Sequence, residues 1–302
     1  MKLNGLIPAV FTPMKENGDI NPAQIDKLVE YYTKQGFSGL YVLGSTGEGP
    51  LLTLEERKVI AKEYINAAPN NIKVIIQVGD DCLRNAIELA QFAKDCGADA
   101  ISSLPPRYFA PQTVPELISC LKEITDRVTD LPFYYYHLPV LSGVNFDMFE
   151  LIKTADREIQ NFAGIKFTDT DLHRMPKCID YKKGKYQVFH GYDETLINGL
   201  MSGAEAAIGS TYNFSAKLYN KIIENFQNGQ LDEARHYQLI AINMIELLAQ
   251  KYRGQPAFKA IMKILNLDCG PNRKPLQTLS KNEIKELEKD LRDKGFMKWI
   301  ES

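Results

Sequence analysis

At 302 residues, with 44% hydrophobic and 25% charged side chains, the chain has ordinary globular composition, with length for about two average domains or for one strand–helix barrel. Its net charge of -2 gives no electrostatic reason to expect nucleic acid or an anionic membrane as a partner. Five cysteines without a CxxC pair and four histidines without HxxxH spacing offer neither a disulfide framework nor a metal centre.

No apolar run is long enough to span a bilayer. The opening "MKLNGLIPAVFTP" is broken by Pro8 and Pro13 and lacks the continuous apolar region and cleavage site of a signal peptide. A cytoplasmic protein without a metal is expected.

In chain order, apolar, β-branched or aromatic runs alternate with stretches of helical period. "LIPAVFT" precedes a helix predicted over Pro22–Gln35, and "GLYVLG" precedes one over Leu54–Ala67. Thr53 with Glu56 three residues on is the capping box of that second helix. "KVIIQVG" leads to Leu83–Cys96, "DAISSLP" to Val114–Arg127 and "PFYYYHLP" to Phe146–Thr154; Gly36 and Gly97 sit where helices should stop. "FAGIKFT", "YQVFHGY" and "EAAIGSTYN" complete eight strand candidates at a spacing of roughly thirty residues, as βα units require. After Ser215 only helices are predicted: Ser215–Gln227, Leu231–Tyr252, Pro256–Leu265 and Lys281–Lys294.

Strict alternation argues for a parallel sheet. Eight units suit the closed form, and no GxGxxG follows the first strand to favour an open dinucleotide-binding sheet. The expected fold is α/β, a TIM (β/α)8 barrel over residues 1–228, with a helical extension over 229–302 packed on it.

The active site of such a barrel lies at the C-terminal ends of its strands. Lys166, in "FAGIKFTDTD", stands mid-strand between Ile165 and Phe167. Side chains alternate across a strand, so apolar neighbours facing the helices would turn Lys166 and Thr168 inward. Burial disfavours the charged form of an amine, and a neutral amine attacks ketones and aldehydes, so a Schiff base is one reading. A lysine reaching to the rim from a strand end is the other. The acids beyond Thr168 are expected to cap the next helix.

Tyr136 ends "PFYYYHLP" on the adjacent unit, as an aromatic packer or a proton relay. His137 reads as structural. "GSTGEG" carries Ser45 and Thr46 between glycines, a turn that could expose backbone N–H groups to a carboxylate; no Gly-Lys-Ser/Thr follows to make it a P-loop. In "GYDE", Asp193 and Glu194 suit either a helix start or the hydroxyls of a sugar, and they are too close together to flank a glycosidic bond.

Together and in this order, "GSTGEG", "YYYHLPVLSG", "GIKFTDTDL", "GYDE" and "GSTYN" resemble the N-acetylneuraminate lyases of the dihydrodipicolinate synthase superfamily, from Leu6 to about Tyr212. The resemblance implies a class I aldolase without cofactor or metal. Lys166 would be its Schiff-base lysine and Tyr136 its proton shuttle. The backbone of Ser45 and Thr46 would hold the substrate carboxylate, and the Ser45 hydroxyl would join the relay. Tyr108 resembles the relay tyrosine borrowed from a neighbouring subunit, which implies an oligomer, typically a homotetramer. Thr168, Gly191, Asp193, Glu194 and Ser210 match sugar-chain contacts. The implied substrates are sialic acid, pyruvate and N-acetylmannosamine.

His137 stands where the common bacterial members have asparagine, so the chain looks more like the animal-type lyases. Dihydrodipicolinate synthase is the nearest rival, but its pattern carries an arginine where this chain has Leu141. A keto-acid sensor would not need a nucleophilic amine. A barrel for phosphorylated sugars would not place "GYDE" where the phosphate binds.

Overall fold

Eight parallel strands make one sheet: β1 (Gly5–Pro8), β2 (Gly39–Val42), β3 (Lys73–Gln77), β4 (Ala100–Ser103), β5 (Phe133–His137), β6 (Phe162–Phe167), β7 (Gln187–His190) and β8 (Ala206–Gly209). Their order is β1-β8-β7-β6-β5-β4-β3-β2. A parallel bridge between Ala9 and Tyr41 joins the two remaining edges, the Val10 N–H donating to the Tyr41 carbonyl at 3.0 Å. The result is the expected barrel, given by a computed structural model that describes residues 2–300. Met1 and the last two residues of the expected extension lie outside the described residues.

The barrel helices are α1 (Ile25–Lys34), α2 (Leu54–Ala67), α3 (Leu83–Asp95), α4 (Val114–Thr125), α5 (Pro139–Ser142), α6 (Met148–Glu158), α7 (Met175–Asp180), α8 (Leu196–Met201) and α9 (Tyr212–Gln227). Then follow α10 (Leu231–Tyr252), α11 (Gln255–Ile264), α12 (Lys281–Asp293) and α13 (Met297–Ile300). Helix α10 packs along α9 and against the 193–195 turn, and α11 packs on α12.

The capping box of α2 is formed in both directions, between the Thr53 hydroxyl and Glu56 N–H and between the Glu56 carboxylate and Thr53 N–H. Gly36 and Gly97 adopt positive φ just beyond α1 and α3, as predicted. Helices α5, α7, α8 and α13 were not predicted. At four to six residues each, they are too short to show a 3.6-residue period.

Two apolar layers follow from the alternation of strand side chains. Leu40, Val42, Phe133, Tyr135, Ile165 and Phe167 face the helices. Ile7, Tyr41, Ile75, Tyr134, Tyr136, Phe189 and Ile208 fill the barrel. The three tyrosines of β5 are thereby divided, with Tyr134 and Tyr136 inside and Tyr135 outside.

Strand β6 breaks the alternation once. Phe133 lies opposite Phe162 but Tyr134 lies opposite Gly164, which leaves Ala163 without a partner on β5. Phe162 and Ile165, three residues apart, can therefore both face the helices. Gly164 has φ +148°, and a Cβ on it would overlap the Gln187 carbonyl oxygen of β7. This one extra residue sets the phase in which Lys166 points inward.

Candidate active site

The Lys166 side chain is buried inside the barrel, and its neighbours Ile165 and Phe167 are packed against the helices. Register pairs Lys166 with Tyr136 on β5 and with Phe189 on β7. Its Nζ lies over two ring faces, 4.0 Å from the Tyr136 centroid and 4.3 Å from that of Tyr41. Among the described residues no carboxylate forms an ion pair with it. The rim reading of this lysine is therefore set aside by the fold.

A cavity of about 210 Å³ opens above this amine. Ser45, Thr46, Tyr136, Lys166, Thr168, Gly191, Asp193, Glu194 and Ser210 all line it. Nine of the ten residues singled out in the sequence therefore converge. Tyr108 does not: it is 84% exposed, packed edge-on against Phe109 outside the cavity.

The "GSTGEG" turn is held from several sides. The Thr12 hydroxyl donates to the Gly47 carbonyl at 2.6 Å, and the Thr46 hydroxyl meets that of Ser210 at 2.7 Å. Glu48, itself buried, pairs with the buried Lys259 of α11 at 2.5 Å and accepts from the Arg273 N–H at 2.6 Å. The Gln255 amide donates to the Thr46 carbonyl at 2.6 Å. Among the described residues no backbone carbonyl accepts from the N–H of Ser45 or Thr46. These two donors suit a carboxylate.

On the opposite side Gly191 leaves room for Thr168, whose hydroxyl oxygen a Cβ there would overlap. That oxygen is buried and has no hydrogen-bond partner among the described residues. Asp193 is buried; one carboxylate oxygen accepts from the Thr211 N–H at 2.8 Å and from the Thr211 hydroxyl at 2.6 Å. Burial raises its pKa, against the lowering effect of Thr211 and of the Lys166 charge. The Glu194 pKa is also raised, by burial first and by the neighbouring Asp193 second.

His190 ends β7 beneath this loop. Its Nε2 donates to the Tyr192 carbonyl at 2.7 Å, while Nδ1 is buried and unpartnered, the arrangement of a neutral ring. Burial pushes its pKa down to about 4. The unfolded chain binds a proton at an ordinary histidine near 6.5 while the folded chain does not. Stability is thus complete above pH 6.5 and is lost as the pH falls toward 4, by about 3 kcal/mol from this group. Thermal unfolding followed from pH 7 to 4 should show that loss, and His190→Gln should flatten the profile.

The acids after Thr168 do not cap the next helix as expected. Asp169 pairs with His137 Nε2 at 3.1 Å and Asp171 with Arg174 at 2.8 Å, and no side-chain cap is formed by Asp171. An ionic partner within reach outcompetes a cap on a helical turn of only three residues. The His137–Asp169 pair ties together the ends of β5 and β6, the strands that carry Tyr136 and Lys166. His137 is buried and does not line the cavity.

Several cavity residues were not identifiable from the sequence. Ile245 of α10 and Phe258 of α11 form part of the wall, beside Leu138 and Ile208. Their apolar positions read as core, and only the docking of the C-terminal helices brings two of them to the site. Tyr41 was missed for the same reason. Among the described residues no group of three or more histidine, cysteine, aspartate or glutamate side chains is placed to hold a metal, and no helix is long and apolar enough to cross a membrane.

Comparison with known proteins agrees with this fold. Residues 2–294 match the model of the dihydrodipicolinate synthetase family. The chain is 38% identical over 300 residues to the N-acetylneuraminate lyase of Mus musculus, covering 98% of this chain and 94% of that one. To the Homo sapiens N-acetylneuraminate lyase it is 38% identical over 304 residues, covering 99% and 95%. The solved Proteus mirabilis N-acetylneuraminate lyase superposes with a TM-score of 0.94 at 33% identity, over 98% of this chain and 100% of the other. The chain belongs to the dihydrodipicolinate synthetase family.

Proposed function

We propose that this protein is a class I aldolase that cleaves N-acetylneuraminate reversibly to N-acetylmannosamine and pyruvate through a Schiff base on Lys166, without a cofactor. The observation that carries this reading is a buried amine lying over aromatic faces and opening on a cavity lined by free N–H donors and hydroxyls. The barrel, residues 1–228, supplies the chemistry, and the extension, 229–302, completes one wall. Five free cysteines suit a reducing, cytoplasmic setting.

The Lys166 nitrogen adds to the ketone carbon of the open-chain substrate, and the carbonyl pair moves to oxygen. Proton transfer and loss of water give a C=N bond with its positive charge on nitrogen. The bond between C3 and C4 then breaks. Its electron pair forms the C2=C3 bond of the enamine, the C=N pair returns to nitrogen, and the C4 hydroxyl loses its proton to become the aldehyde. Protonation at C3 and hydrolysis release pyruvate and the free lysine.

The N–H groups of Ser45 and Thr46 orient the substrate carboxylate. Tyr136 and the Ser45 hydroxyl carry the protons. Tyr108, exposed on its own subunit, serves the site of a second copy in a homotetramer. Thr168, Gly191, Asp193, Glu194 and Ser210 face the sugar chain. Leu141 presents no charge to a second carboxylate, which favours a neutral sugar aldehyde over an acidic one.

Incubation with N-acetylneuraminate should release pyruvate. Borohydride in the presence of pyruvate should fix a three-carbon adduct on Lys166, read by mass spectrometry. Asp193→Asn and Glu194→Gln should lower turnover of N-acetylneuraminate by roughly 10- to 100-fold, the loss of one or two hydrogen bonds to hydroxyls, while the pyruvate adduct still forms. Loss of both together would assign these acids to the fold. Efficient condensation of pyruvate with aspartate semialdehyde would overturn the substrate assignment.

A further inference from the structure

Tyr41 is a buried aromatic residue on the barrel interior that the mechanism above does not use. Its ring is built into place. The hydroxyl meets the Ser102 hydroxyl at 3.1 Å, the ring stands edge-on to Tyr136 with centroids 5.7 Å apart, and Gly44 of "GSTGEG" lies against it. An added Cβ at Gly44 would come 2.7 Å from Cε1 of Tyr41, so this glycine makes room for the ring. Three neighbours, on β4, β5 and the turn after β2, thus fix one face of Tyr41 toward Lys166 Nζ at 4.3 Å.

We propose that Tyr41 is a further catalytic residue, whose ring face, set at 82° to that of Tyr136, stabilises the positive charge the Lys166 nitrogen acquires as the imine forms. The charge appears when water leaves and the nitrogen lone pair becomes part of C=N. It disappears when C–C cleavage returns the pair to nitrogen, and reappears when the enamine is protonated at carbon. Among the described residues no carboxylate forms an ion pair with this nitrogen, and the two π-faces lie 4.0 and 4.3 Å from it. A cation within ~6 Å of a ring centroid is attracted by the ring quadrupole, and more strongly where water is excluded.

The Tyr41 hydroxyl is a poor candidate for proton transfer. It is turned to Ser102, and burial holds its pKa well above the ordinary value. The face and not the hydroxyl is what acts on Lys166. This role rests on the Schiff-base reading and extends it to the charge of the intermediate.

The test is the pyruvate concentration needed for half-maximal borohydride trapping on Lys166, which reports imine formation without any sugar. Tyr41→Phe keeps the face and removes the hydroxyl, and it should stay within about twofold of wild type. Tyr41→Leu removes the face and should raise the half-maximal concentration by roughly tenfold, the scale of a desolvated cation–π contact. Tyr41→Met, longer and more flexible, takes the place of the leucine variant if thermal unfolding shows that one to be unfolded. Trapping by the leucine or methionine variant at the wild-type concentration would overturn the proposal, as would a tenfold loss in Tyr41→Phe, which would assign the effect to the hydroxyl. Wild type that forms no adduct at all would remove the Schiff base, and the role of Tyr41 with it.

Discussion

Lys166→Met should lower N-acetylneuraminate cleavage by roughly 10⁴-fold or more, the scale on which removal of a covalent nucleophile is felt. The fold should survive. Removing one member of a buried ion pair strands the other, but Lys166 has no such partner among the described residues, and methionine fills a similar length with an apolar chain. The Tm should therefore match or exceed that of wild type, and borohydride with pyruvate should leave the protein unlabelled. Lys166→Arg should be as inactive, because a guanidinium stays protonated and offers no lone pair. A folded Lys166→Met protein that still releases pyruvate would mean that the reaction does not pass through this amine.

Gly164→Ala should be nearly as damaging although Gly164 does not line the cavity. The residue sits at φ +148°, where side chains are not tolerated, and a Cβ there would overlap the Gln187 carbonyl oxygen on β7. Backbone strain and overlap together should cost about 3 kcal/mol or more, read as a lowered urea midpoint. The functional consequence follows from parity. Ala163 is the unpaired residue that lets Phe162 and Ile165 share the outer face and leaves Lys166 on the inner one. If alanine forces the strand out of this bulge, the side chains beyond it change faces, and the amine leaves the ring faces of Tyr41 and Tyr136. Protein that remains folded should then trap pyruvate at least roughly tenfold more weakly, in keeping with sensitivity to a displacement of ~1 Å. A stable Gly164→Ala protein with wild-type trapping would show that the bulge does not aim the lysine.

The site was largely legible before the fold was known, because its residues cluster at strand ends and a barrel gathers strand ends at one rim. Lys166 was conspicuous as a charge between Ile165 and Phe167, and Ser45 and Thr46 as polar residues between glycines. Tyr41, Ile245 and Phe258 carried no such mark, since an apolar or aromatic residue in a strand or helix looks the same whether it packs a core or lines a cavity. Asp169 and Asp171 were misread as a cap because their partners, His137 and Arg174, were visible only in three dimensions.

The sequence alone determined the eight strands, the long helices with one capping box and two glycine stops, and the end of the barrel at which the cavity-lining residues gather. These are local matters: a period of 2 or 3.6, a Thr-x-x-Glu box and a glycine stop act within a turn or two of chain. Tertiary structure alone decided which way Lys166 faces, through one unpaired residue measured against β5 and β7. It also decided what surrounds the amine, through Tyr41 on β2 and Tyr136 on β5. Finally, it tied the "GSTGEG" turn to the C-terminal helices, through Glu48, Lys259 and Gln255. Such contacts join residues 209 positions apart or more, where local periodicity carries no information and only the packed chain settles the geometry.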